Sequence, residues 1–132
     1  MNLSSEHTTL AYNERPTIFF VDLSQPDIVF ICRLLRNIGM RGCNLGFSYM
    51  ATAIQLVYMD NSYVNSLTTR LYPEIARLYC TTESAVPSAI YKEINSFWDR
   101  NGAANLAAVT GYKLYERPYA GELLDVTAAA HS

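Results

Sequence analysis

The sequence predicts an all-α domain, a compact bundle of six or seven short helices. Three observations predict it. Apolar residues recur at i, i+3, i+4 and i+7 in one segment after another between residues 28 and 130. Helix-ending signals (Gly39, Asp60–Asn61, Asn101–Gly102 and Gly111) separate these segments at short intervals. The 132-residue chain is half apolar and 17% charged, which suits one globular domain with one core.

Residues 1–27 read as an arm, polar at first and then extended. TIFFVDL, at 17–23, is a short β-prone run. SQPD follows, where Ser24 or Asp27 can cap a helix and Pro26 fits its first turn. Ile28, Ile31, Leu34, Leu35 and Ile38 then keep helical spacing, and Gly39 and Gly42 mark the exit. The cleanest helix spans 45–59, with Phe47, Met50, Ala51, Ile54, Val57 and Tyr58 on one face. A short helix is expected around 64–71, ending before Pro73, because proline disfavours the α conformation in its predecessor. Pro73 suits the first turn of the next helix, 73–80.

Thr81–Thr82 makes a tight turn and offers an N-cap. In the helix that follows, Val86, Ile90, Ile94 and Phe97 face inward with Trp98 beside them. A shorter helix, 103–109, ends at Gly111. Pro118 then breaks the chain before a last helix at about 120–130. The domain is expected over 28–128, with 129–132 as a tail.

Residues 73–100 have the layout of a helix-turn-helix. Ala76 supplies the small residue where the second helix crosses the first. Ile75, Tyr79, Val86 and Ile90 supply the apolar lock, and Cys80-Thr81-Thr82 the short turn. If Thr82 caps the second helix, Pro87 falls fifth and removes an i to i−4 hydrogen bond. A start near Ser84 leaves Pro87 in the first turn.

Net charge is −2, yet the average conceals an asymmetry. Residues 28–115 hold eight Lys/Arg and five Asp/Glu, a balance of +3, while the flanks stand at −5. A mildly basic body is compatible with DNA, with a modest counterion-release term. The three cysteines, Cys32, Cys43 and Cys80, lack C-x-x-C spacing and read as small buried thiols. His7 and His131 lie in the tails, so no metal site and no cofactor is expected. No secretory signal or membrane-spanning run is present, and a cytoplasmic protein is expected. G-x-S-x-G, P-loop and H-E-x-x-H motifs are absent, and no catalytic residue is assigned.

IGMRG, LYPEIARLYCTTESAV, the W-x-R of FWDRNG, TGY and RPYAGEL together resemble the C-terminal effector domain of the sporulation master response regulator, stage zero sporulation protein A. The resemblance runs from about residue 28 to 128. It implies a six-helix DNA-binding domain that recognises a short GA-containing promoter box, often as tandem dimers, and contacts RNA polymerase sigma factor. In the full regulator a phospho-accepting receiver precedes this domain. Only 27 residues precede it here. Asp22, at the end of IFFVD, has no surrounding acidic pocket in the sequence. A stand-alone effector domain without a phosphorylation switch is therefore expected.

The resemblance also implies recognition-helix arginines where this chain has Ala85, Ser88 and Tyr91. Each lost bidentate contact removes roughly 1–3 kcal/mol of base discrimination. Two or three losses consume most of a usual specificity margin of roughly 4–10 kcal/mol. Residues 83–100 carry Lys92 and Arg100 against Glu83, Glu93 and Asp99, a balance of −1. The residues left to meet double-stranded DNA are Thr82, Ser84, Ser88, Tyr91, Lys92 and Asn95, with Arg77 and Arg100 at phosphates. Arg70 could add a flanking contact. Two functions stand. One is a transcription regulator with altered or weakened base readout, alone or as a homodimer. The alternative is a degenerate effector domain that works through protein contacts, with an intact regulator or polymerase. The ten tyrosines suit such an interface, although Tyr58 and Tyr79 are expected in the core.

Overall fold

The computed structural model describes residues 26–41 and 44–131, and side chains from 28–41 and 44–130. The expected arm, its β-prone run and Asp22 lie outside the described residues, as does Cys43. Six α-helices follow one another: α1 (Pro26–Asn37), α2 (Leu45–Met59), α3 (Tyr72–Tyr79), α4 (Ala85–Asp99), α5 (Gly102–Thr110) and α6 (Ala120–His131). A 3₁₀ turn, Asn61–Asn65, and a π turn, Leu67–Leu71, link α2 to α3. No strand occurs among the described residues. The fold is all-α, as the periodicity predicts, and α6 reaches His131, into the stretch expected as a tail.

Helix α2 is the axis of the bundle. Helices α1, α4 and α6 pack on it from different sides. Its sequence explains this: every residue from Gly46 to Ile54 is buried. A helix apolar or small on all sides has to be surrounded. Asn44 starts it, accepting the Phe47 N–H on Oδ1 at 2.8 Å, an N-cap bond. The enclosure ends with Val57, and Tyr58 emerges 42% exposed on the last turn, not in the core as expected. Ile28, Ile31, Leu34, Leu35 and Ile38 of α1 are all buried against this axis, as their spacing predicts. Each such side chain contributes about 1.5–3 kcal/mol by leaving water.

The connection into α3 differs from the expectation of a stop before Pro73. Tyr72 is α-helical, at φ −63° and ψ −42°. The chain passes straight from the π turn into α3. The Leu71 and Tyr72 N–H groups reach back five residues, to the Ser66 and Leu67 carbonyls. This wider turn relieves the crowding that a proline ring imposes on the carbonyl four residues earlier.

Candidate nucleic-acid interface

The helix-turn-helix is built from local sequence upward. Helix α3 stops because Cys80 adopts the left-handed conformation, φ 54° and ψ 47°. Its N–H and that of Thr81 close back on the helix. Cys80 is consequently exposed, unlike the buried thiol expected; Cys32 is buried. Burial raises the pKa of Tyr49, on α2, partly offset by the Thr81 side chain of the turn. Tyr49 also meets the Tyr79 ring edge-on, with centroids 4.9 Å apart. The Tyr79 hydroxyl donates to the Ser48 carbonyl at 3.2 Å and shares a 2.8 Å hydrogen bond with the Thr52 hydroxyl. Burial pushes its pKa well above the ordinary tyrosine range.

Helix α4 begins at Ala85, so Pro87 occupies its first turn and the later of the two starts is the one adopted. Thr82 serves through its backbone carbonyl, which accepts from the Ala85 N–H at 3.2 Å. Ser84 makes no side-chain cap bond. Val86, Ile90, Ile94 and Phe97 are buried, and Ala76 is buried at the crossing with α3. The opposite face of α4 is open. Ser84, Ser88, Tyr91 and Asn95 fall at intervals of four, three and four residues, so they share one face. Lys92 flanks them. Ser84, Ser88, Tyr91 and Lys92 are exposed and Asn95 is half-buried, along about 16 Å of helix.

The two arginines expected at phosphates both carry bonds within the protein. Arg77 is exposed on α3 but engaged by Glu74, with Nε–Oε1 at 3.1 Å and Nη2–Oε2 at 2.6 Å. The pairing lowers the Glu74 pKa and raises that of Arg77. Arg100 stands about 24 Å along the axis from Ser84. Its Nη1 donates to the Gly39 carbonyl at 3.1 Å, and its other nitrogens hold Ser96 Oγ. It fastens the end of α4 to the α1 exit, where Gly39 takes φ +104°, a conformation open to glycine. Arg70, too, is committed, to Asp60 and Ser62, with its guanidinium over the Tyr63 ring.

Two residues escaped the sequence reading. Glu93 entered there only in the charge balance of residues 83–100, yet it is buried between α4 and the start of α2, and its Oε2 has no hydrogen-bond partner among the described residues. Burial raises its pKa, partly offset by the Asn44 side chain and the Arg100 charge. Gly46 makes this approach feasible: a Cβ there would meet the Ala89 carbonyl at 2.9 Å and Glu93 Oε1 at 3.1 Å. The inward position of Glu93, three residues after Ile90, was the available signal. Arg117 is the second. It arrives from the α5–α6 connection with its guanidinium 4.8 Å from the Tyr91 ring centroid. The sequence holds no local signal for that encounter.

A helical bundle that locks one helix by a short turn and leaves the outer side of the next open defines a class, the helix-turn-helix nucleic-acid-binding domains. Residues 31–130 match the family described as Sporulation initiation factor Spo0A C terminal. The match covers most of the chain, which belongs to that family of DNA-binding effector domains. Among the described residues no helix is long and apolar enough to cross a membrane.

Proposed function

We propose that the protein is a transcription regulator that binds double-stranded DNA through α4 with altered, weakened base readout. The observation that carries this reading is the open face of Ser84, Ser88, Tyr91, Lys92 and Asn95 on the second helix of the motif. Serine hydroxyls and the Asn95 amide can reach base edges or phosphates, and Lys92 adds a point charge. None of these offers the planar fork that reads guanine. Affinity therefore rests mainly on phosphate contacts, and sequence preference is shallow. RNA polymerase sigma factor and a second copy of the chain are partners in keeping with the family.

The test is a binding titration at several salt concentrations on the family's GA-containing box and on random duplex. The expected result is binding to both, weakening with salt, with a small preference for the box. No binding at low salt would exclude this function. A second reading, action through protein contacts alone, draws on the exposed tyrosines Tyr91, Tyr115 and Tyr119, at 55%, 88% and 72% exposure. It predicts that same absence of DNA binding.

A further inference from the structure

We infer that Arg117 is a DNA-contacting residue. It brings to the reading face, from outside the recognition helix, a guanidinium that the helix itself lacks, and Tyr91 holds it there. The inference rests on the DNA-binding function proposed above and names a phosphate of the duplex backbone as the group contacted.

The commitments of three other arginines set Arg117 apart. The N–H groups of Arg70, Arg77 and Arg100 are spent on Asp60 and Ser62, on Glu74, and on Ser96 and Gly39. Arg117 is exposed, and among the described residues the ion pairs involve only Arg70 and Arg77. Its contact is with the face of an aromatic ring. A guanidinium over a ring face is held through its charge and spends no N–H donor on the ring, so those donors stay available to a phosphate fork.

The connection that carries it is anchored on both sides. Leu114 and Pro118 are buried. Pro118 fixes its own φ and confines Arg117 to an extended backbone. The ring beneath is equally well placed. Tyr91 lies on the Ser84–Ser88–Asn95 face at mid-helix and is half exposed, and Arg117 reaches it from a segment outside α4, to one side of the helix a duplex would meet. A contact at the margin of a groove-bound helix falls on the backbone rather than on base edges. A tyrosine at this position thus supplies no base-reading fork of its own but seats a charge brought by another segment.

The experiment is fluorescence-anisotropy titration of the full chain with box and random duplexes, from 50 to about 300 mM salt, with helicity checked by circular dichroism. Arg117→Ala should weaken binding to both duplexes about eightfold at 0.1 M salt. It should also reduce the slope of log K against log salt by about 0.9, the signature of one phosphate contact. Arg117→Lys should restore most of the slope. Tyr91→Phe should bind like the parent, because the ring face is retained. Tyr91→Ala should weaken binding, and adding Arg117→Ala to it should cost less than Arg117→Ala alone. Lys92→Ala is the reference for the rest of the face. If Lys92→Ala weakens binding while Arg117→Ala changes neither affinity nor slope, the inference is overturned and the DNA-binding function stands. A loss confined to one duplex overturns the phosphate assignment. Failure of the parent to bind at 50 mM salt overturns both.

Discussion

Replacing Glu74 by Gln isolates what Arg77 does. In the free protein the Arg77 guanidinium is held by two charge-assisted bonds, of 3.1 and 2.6 Å, to a carboxylate three residues earlier on the same helix. Both side chains reach solvent, but the two-pronged pairing occupies the Arg77 donors that a phosphate would need. The Gln variant removes the anion while leaving shape and length unchanged. Arg77 then faces a duplex as an uncompensated cation on the helix that crosses the backbone in this class of motif. One added phosphate contact steepens the slope of log K against log salt by about 0.9, or about eightfold in affinity at 0.1 M salt. The assay is a salt-dependent anisotropy titration on random duplex, so that base readout does not enter. The control is Glu74→Gln combined with Arg77→Ala, which should lose most of the gain. An unchanged slope in Glu74→Gln would refute the reasoning, placing Arg77 away from the DNA. A gain that survives the loss of Arg77 would refute it too, by assigning the effect to net charge.

Three further outcomes follow from the packing. Gly46→Ala forces a Cβ against the Ala89 carbonyl at 2.9 Å, so urea denaturation should show a loss of about 1–3 kcal/mol, and an unchanged midpoint would show that α2 and α4 separate freely. Tyr79→Phe removes the donor to Ser48 and the partner of Thr52; it should cost about 1–2 kcal/mol, and in the parent Tyr79 should stay protonated above the ordinary tyrosine range, so that an ultraviolet titration of the variant loses a late-ionising group. Glu93 is raised in the folded state, so the native protein binds this proton more tightly than the unfolded chain does. Its contribution to stability is therefore greatest below the ordinary carboxyl pKa and falls as pH rises through the folded value. Glu93→Gln should flatten that part of a stability–pH profile and raise stability at neutral pH; a profile parallel to the parent's would contradict the buried placement.

Much of the bundle was legible because helix formation is a local affair. The 3.6-residue period of Ile28, Ile31, Leu35 and Ile38, and of Val86, Ile90, Ile94 and Phe97, states which side turns inward whatever lies there. Ala76, with Ile75 and Val86, marked the helix crossing for the same reason, and Pro87 already suggested that the helix starts late. Tyr58 shows the limit of that argument. Its spacing is right, but enclosure ends where the neighbouring helices no longer cover α2, and a single helix cannot reveal that. Pro73 shows another. The rule that stops a helix before proline assumes a regular turn, and a π turn evades it.

By itself, the sequence determined the helices, their inward faces and the motif that a duplex would meet, since these follow from residues a few places apart. Only the tertiary structure decided the fate of the charges. Arg100 binds a carbonyl 61 residues away, Glu93 is buried against Gly46, and Arg117 comes to rest over Tyr91. A charged side chain is long and strongly hydrated, and its partner is chosen by which segments the folded core brings within a few ångströms. No periodicity along the chain encodes that choice.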